Sequence, residues 1–98
     1  MAKIIWTEEA NRWLQEIHRY IASDSPVSSQ KIIMGIYEKV QSLQRFPLLG
    51  YLYRQEPDGE VRILLYGHYK IAYQLKPEES IVILGVFHDA LDLERYLP

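Results

Sequence analysis

Apolar residues follow a helical period in the first half of the chain and a strand-like period in the second half. The short apolar run "KIIW" at 3–6 predicts a first strand. Thr7 follows it and is a good helix N-cap, because its hydroxyl can accept an unpaired amide of the first turn. The helix that comes next has one apolar stripe of 3.6-residue period. That stripe consists of Ala10, Trp13, Leu14, Ile17, Tyr20 and Ile21.

A second amphipathic helix is predicted after the break at Pro26, from about residue 27 or 28 to residue 45. Its apolar stripe consists of Ile33, Ile36, Tyr37, Val40, Leu43 and Phe46. Gly35 within this helix costs about 1 kcal/mol relative to alanine, and we expect a close helix–helix crossing to explain it. Because the link between the two helices is short, they should form an antiparallel hairpin.

Three strand-like runs, at 61–66, 69–75 and 81–87, are separated by short turns and predict an antiparallel meander. A short edge strand at 51–54 would make this meander four-stranded. The run "IVILGVF" at 81–87 has no polar alternation, which predicts a central strand covered on both faces. The predicted fold is therefore α+β, with an N-terminal strand, a two-helix hairpin, an antiparallel three- to four-stranded meander and a short C-terminal helix.

Composition and charge narrow the function classes. A length of 98 residues predicts a single domain spanning 1–98. The formal net charge of −2 gives no basic excess, which argues against direct binding of DNA or RNA. The absence of cysteine excludes disulfides, thiolate zinc sites and a thiol nucleophile. No apolar run is long enough for a membrane span or a signal peptide, so we expect a cytoplasmic protein.

The C-terminal stretch "VFHDALDLERYLP" combines a histidine with acidic residues. His88 and Asp92 are four residues apart and would share one face of a helix, but a metal needs a third ligand and the sequence supplies none at a telling distance. The same acids are explained if Asp89 is the N-cap of a last helix with Asp92 at its N3 position. We therefore predict no metal and no cofactor.

A second set of candidate residues, Arg62, Lys70, Tyr73 and His88, lies on successive predicted strands or at their ends. Side chains of neighbouring strands can converge on one face of a sheet, so a basic and aromatic patch is one interpretation. The other interpretation is that Arg62 and Lys70 are solvated and that Tyr73 is half-buried core. The residues alone leave both interpretations open.

Three long segments carry a family resemblance that covers nearly the whole chain. They read "IIWTEEANRWLQEIHRYIA", "IYEKVQSLQRFPLLG" and "EVRILLYGHYKIAYQL…SIVILGVFHDALDL". Their order and spacing resemble the ParE/RelE superfamily of toxin–antitoxin and plasmid-stabilization toxins. The resemblance implies a RelE/ParE-like fold and a toxin that arrests growth unless a cognate antitoxin neutralises it.

The segment "VRILLYGHYKIAY" looks more like the ParE branch, whose members poison DNA gyrase, than the RelE branch, whose members cut messenger RNA on the ribosome. RelE-like cleavage needs clustered cations because its transition state is anionic, and Arg62 is the only basic residue on its predicted strand. Tyr51 and Leu91 stand where relatives usually have arginine. The leading hypothesis is thus a ParE-like toxin that acts on gyrase without covalent chemistry of its own.

The resemblance also implies partners. A cognate antitoxin would lay a helix and an extended segment over an apolar groove beside the hairpin and the sheet. Trp13, Ile17, Ile36 and Tyr37 are the candidate residues of that groove. Operator DNA would be contacted only through the antitoxin. A homodimer and a heterotetramer with the antitoxin are both open.

Two alternatives remain. A RelE-like ribosome-dependent mRNA endoribonuclease would use Arg62, Lys70, Tyr73 and His88 as its catalytic site. The cations would stabilise phosphate charge, and His88 would be an acid–base group. An inactive relative would only bind the antitoxin and repress its own operon, as the two missing arginines would allow.

Overall fold

Helices and strands follow the predicted order. The computed structural model describes residues 2–97. The elements are β1 (Lys3–Trp6), α1 (Glu8–Ala22), α2 (Pro26–Gln41), a 3₁₀ turn (Ser42–Gln44), β2 (Tyr51–Glu56), β3 (Gly59–Tyr66), β4 (Tyr69–Leu75), β5 (Ser80–His88) and α3 (Leu93–Tyr96). The predicted α+β fold class is confirmed.

The five strands form one sheet in the order β1-β5-β4-β3-β2. Strands β2 to β5 are antiparallel neighbours, which confirms the meander in its four-stranded form. Strand β1 adds to the other side of β5 in parallel, with Ile4 opposite Ile81. Parallel neighbours need a long crossover connection. Between β1 and β2, the helical hairpin places β2 at the far edge of the sheet from β1.

Side-chain caps define where both long helices begin. The Thr7 hydroxyl accepts the Ala10 amide at 3.0 Å and donates to the carbonyl of Ile83 at 2.8 Å, so the cap also ties α1 to β5. Ser25 accepts the Ser28 amide at 3.2 Å in the same way and begins α2. At its other end α2 tightens into the 3₁₀ turn after Gln41, so the prediction of a helix through residue 45 is wrong in its last turn.

Two apolar clusters lie on opposite faces of the sheet. The larger cluster packs the hairpin against the sheet and consists of Ala10, Leu14, Ile36, Val40, Leu43, Leu64, Ile71, Tyr73, Ile81, Ile83 and Val86. The smaller cluster lies on the other face, where α3 covers the strands, and consists of Ile63, Ala72, Phe87, Leu93 and Leu97. Because β5 contributes to both clusters, the prediction of a central strand covered on both faces is confirmed.

Two local predictions are wrong. In each case the residue contacts a part of the chain that is distant in sequence. Gly35 does not mark a helix–helix crossing, since an added Cβ would meet the hydroxyl and ring of Tyr66 on β3. The last helix is capped by Asp92, whose carboxylate accepts the Glu94 amide at 3.2 Å. Asp89 instead donates its amide to the carbonyl of His68 at 2.7 Å and prolongs the β4–β5 pairing.

Two further observations on the described residues concern metal binding and membrane insertion. Within residues 2–97 there is no group of three histidine, aspartate or glutamate side chains placed to hold a metal ion. No helix in the same part of the chain is long and apolar enough to cross a membrane.

Candidate functional site

Arg62 and Tyr73 are direct partners across β3 and β4, on the face that the helices cover. The Tyr73 side chain is fully buried. Its hydroxyl donates to the carbonyl of Pro47 at 2.7 Å and accepts the Gly50 amide at 3.0 Å. Burial raises the pKa of the Tyr73 phenol above its ordinary value. Tyr73 therefore connects the sheet to the loop before β2 and is closed off from substrates.

Arg62 fastens the same loop from the neighbouring strand. Its Nε donates to the Glu60 carboxylate at 2.9 Å, and its Nη1 donates to the carbonyl of Gly50 at 2.7 Å. Only 15% of the side chain is exposed. Gly50 itself has no room for a side chain, because an added Cβ would lie 2.7 Å from the carbonyl oxygen of Ile63. We call Arg62, Tyr73 and the loop 47–50 the Gly50 anchor.

The other two catalytic candidates lie elsewhere on the sheet. Lys70 pairs with Leu65 and Phe87, which places it on the face opposite to Tyr73 because side chains alternate along a strand. His88 pairs with Tyr69 on the helix side. Four residues separate Tyr69 from Tyr73, which is about 13 Å along the strand. The structure therefore brings Arg62 and Tyr73 together but separates them from Lys70 and His88.

His88 ends β5 among aromatic and acidic neighbours. Its Nδ1 lies 3.1 Å from the Ala90 amide, which donates to it. The Asp89 carboxylate lies 3.2 Å from the same Nδ1 and 3.5 Å from Nδ1 of His68. The His68 and His88 rings stack with centroids 6.2 Å apart, and Tyr69 meets His88 edge-on at 5.7 Å.

A groove of about 460 Å³ runs between α1 and the ends of β4 and β5. Its lining residues are Trp13, Glu16, Ile17, Tyr20, Tyr69, Val86, His88 and Leu91. The four residues from α1 follow the spacing i, i+3, i+4 and i+7, which is one face of a helix. We call this cavity the α1–β5 groove.

The helical stripe of α1 is therefore divided between core and groove. Ala10 and Leu14 are buried beneath the helix, whereas Trp13 and Ile17 are half-buried and line the groove. Tyr20 is 82% exposed. The sheet covers only part of the apolar face, and the remaining part is available to another molecule.

The structure separates the four residues predicted to bind an antitoxin. Trp13 and Ile17 line the α1–β5 groove. Ile36 is 0% exposed and belongs to the core, so it has no surface to offer a partner. Tyr37 lines a different, smaller cleft of about 230 Å³ between the helices. The Tyr37 ring also packs on the Trp6 ring, with centroids 4.9 Å apart.

The sequence predicted Trp13 and Ile17 as groove residues but not the two tyrosines that also line the groove, Tyr20 and Tyr69. Tyr20 was assigned to the buried stripe, and Tyr69 was assigned only to a strand. The pKa of the Tyr69 phenol is raised, first by burial and then by its proximity to Tyr20. The width of the apolar stripe on α1 could have indicated this groove. Its six apolar positions form a face too wide for the sheet to cover completely.

A second exposed apolar surface surrounds the start of edge strand β2. It consists of Phe46, Leu48, Leu49, Tyr51 and Leu52. Contiguous apolar surface of this kind marks interaction sites in soluble proteins.

Comparisons with known proteins agree with this geometry. A sequence model described as the ParE toxin of the type II toxin–antitoxin system parDE matches residues 4–93. The chromosomal ParDE toxin–antitoxin system of P. aeruginosa contains a chain with a TM-score of 0.71 and 25% identity, covering 90% of this chain and 96% of that one. A chain of the RelBE2 toxin–antitoxin complex of Mycobacterium tuberculosis has a TM-score of 0.57 and 26% identity, covering 89% and 96%.

No curated protein matches the sequence significantly. The higher TM-score to the ParDE chain and the match to the ParE family agree on the branch. The resemblance to the ParE/RelE superfamily, nearer to ParE, is confirmed. The chain therefore belongs to the ParE family of toxins of type II toxin–antitoxin systems.

Proposed function

We propose that this ParE-family toxin acts by binding DNA gyrase and not by cutting RNA. The observation that carries the proposal is the dispersal of the four catalytic candidates. Arg62 and Tyr73 are engaged in the Gly50 anchor, Lys70 lies on the opposite face, and His88 lies at the far end of the helix side.

Ribonuclease chemistry would need these groups to converge. The transition state of phosphodiester cleavage is anionic, so cations must lie close to one phosphate position. The Nε of Arg62 donates to the Glu60 carboxylate, and its Nη1 donates to the Gly50 carbonyl. The Tyr73 hydroxyl already donates to Pro47. Only Lys70 and His88 remain as candidates for direct chemistry, and they do not share a face of the sheet.

We further propose that a cognate antitoxin neutralises the toxin by docking a helix in the α1–β5 groove. Helix-in-groove recognition uses apolar anchors at helical spacing against a half-open apolar surface. Trp13 and Ile17 supply such a surface, and the half-buried Leu91 continues it on the other side of the groove. Operator DNA would then be reached through the antitoxin, because this chain carries a net charge of −2.

The test compares gyrase and ribosome targets with the same purified toxin. We expect inhibited supercoiling and accumulated cleaved DNA in a gyrase assay, and intact transcripts in a translating extract. Induced expression should arrest growth, and co-expression of the antitoxin encoded beside the toxin should restore it.

The opposite results identify the alternatives. If transcripts are cut on the ribosome and Lys70→Ala abolishes the cutting, the protein is an mRNA endoribonuclease and the gyrase proposal is wrong. Normal growth at high expression, together with tight antitoxin binding, would show an inactive relative that serves only in repression.

A further inference from the structure

We propose that the α1–β5 groove receives a lysine or arginine side chain of its partner, presented beside an apolar residue. The partner in this inference is the antitoxin, so the inference rests on the proposed function. It adds the chemistry of the contact, which neither the family nor the fold specifies. Three features of the lining support it: aromatic side chains, an acidic residue with no lysine or arginine in the described lining, and apolar residues at its base.

Aromatic side chains make up a large part of the lining. Trp13, Tyr20 and Tyr69 line the groove, and the Trp13 ring also meets Phe87 edge-on at 4.7 Å. The negative face of an aromatic ring attracts a cation that approaches within about 6 Å of its centroid. Tyr20 is almost fully exposed, so its ring can cover a side chain that enters. Within the described part of the chain, no lining residue is a lysine or an arginine.

One carboxylate lines the groove, and a second contacts a lining residue. Glu16 lines it from α1, and Asp89 lies 3.2 Å from His88, which lines it from β5. Arg19 donates to Glu16 at 2.8 Å, but both side chains are about two-thirds exposed, and such surface pairs are weak. The Asp89 carboxylate faces the rings of His68 and His88. The local balance therefore favours a partner cation and opposes a partner carboxylate.

The floor of the groove suits the rest of such a side chain. Ile17 and Leu91 are apolar, half-buried lining residues, and the buried Val86 lies beneath the cavity. Lysine and arginine bury long aliphatic stems on apolar surface while their charged ends stay near water or acids. A volume of about 460 Å³ is within the range of sites that enclose a small ligand, so one or two side chains of a docked segment would occupy it.

Leu91 gives a sharp test, because it lines the groove and can be replaced by either charge. Leu91→Arg and Leu91→Glu remove the same apolar contacts and differ in the sign of the charge that they add. Met34→Arg is the matched control, since Met34 on α2 is 55% exposed and lies outside the groove lining. The dissociation constant of each full-length variant is measured against the full-length antitoxin encoded beside the toxin, at low and at physiological salt.

We expect Leu91→Arg to bind at least about tenfold more weakly than Leu91→Glu, with the difference shrinking as salt rises. Met34→Arg should bind as the unaltered toxin does. Replacing the antitoxin's lysines and arginines by glutamine, one at a time, should identify a residue whose loss abolishes the difference between the two Leu91 variants.

Equal binding by the two Leu91 variants, or tighter binding by Leu91→Arg, would overturn the inference while the antitoxin still bound. Absence of any antitoxin binding by the unaltered toxin would instead remove the proposed neutralisation and the inference with it. The two failures are therefore distinguishable in one set of titrations.

Discussion

The Gly50 anchor and the α1–β5 groove lie on the same face of the sheet and share strand β4, yet their side chains are in opposite environments. In the anchor every named polar group has a partner, and Tyr73 is fully buried. In the groove every lining side chain except the buried Val86 is half-buried or exposed, and Tyr20 and Tyr69 border the open cavity.

The difference shows that residue type alone does not identify a functional site. An arginine and a tyrosine at neighbouring strand positions are typical of catalysis, and they are equally useful for fastening a loop. Satisfied hydrogen bonds and burial in the anchor indicate a contribution to stability. Unpartnered apolar surface in the groove indicates binding. Four changes to the chain would break or sharpen this contrast.

The largest effect is expected for Tyr73→Ala in the anchor. Removing a buried aromatic ring leaves a cavity and should lower the free energy of unfolding by about 3–5 kcal/mol. Urea unfolding followed by circular dichroism measures the change. Tyr73→Phe is the matched control: it keeps the ring, leaves the Gly50 amide without its acceptor, and should cost about 1–3 kcal/mol. A loss of less than 1 kcal/mol in Tyr73→Ala would contradict a structural role for the anchor.

A smaller loss is expected for Arg62→Met, which keeps much of the aliphatic length and removes the guanidinium. The Gly50 carbonyl and the Glu60 carboxylate then lose their donor, which should cost about 1–3 kcal/mol in the same unfolding measurement. Lys70→Met serves as the comparison, because Lys70 lies outside the anchor and should change stability by no more than about 0.5 kcal/mol. If the two variants lost equal stability, the anchor would not be distinguished from the rest of the sheet.

Alkaline pH should weaken the anchor through Tyr73. Burial raises its pKa above the ordinary value of 10.0, so the unfolded chain releases this proton first. The stabilisation is complete below that ordinary value and is lost as pH rises through the folded-state pKa. Free energies of unfolding measured on both sides of pH 10 should therefore fall with pH.

The same alkaline measurement compares the two regions directly. Tyr73→Phe should flatten the fall in stability, and Tyr69→Phe should flatten it less, because Tyr69 is only partly covered in the groove. If both variants lost stability with rising pH as steeply as the unaltered protein does, burial of these tyrosines would not be the cause of that loss.

The smallest effect on stability is expected in the groove itself. Tyr20→Ala removes a ring that is 82% exposed, so the free energy of unfolding should change by no more than about 0.5 kcal/mol. Antitoxin affinity, measured by titration, should nevertheless fall, since the ring covers the proposed docking site. A variant that lost stability and kept full affinity would reverse the contrast between anchor and groove.

Much of the fold could be predicted from local pattern. The runs at 3–6 and 69–75 have the bounds of β1 and β4, and Thr7 caps α1 as expected. The end of α2 and the cap of α3 were less predictable, because both depend on how the chain turns against the sheet. For the same reason Ile36 was predicted to be a groove residue and lies in the core.

By itself the sequence determined the order of the elements, the family and the caps of the long helices, because periodicity and capping act between residues a few positions apart. Only the tertiary structure decided which candidates meet. Tyr73 reaches its partners 23 and 26 residues away in the chain, and Arg62 reaches Gly50 12 residues away. Such contacts depend on strand register and on the face that each side chain takes, and these arise only when the hairpin and the sheet pack together.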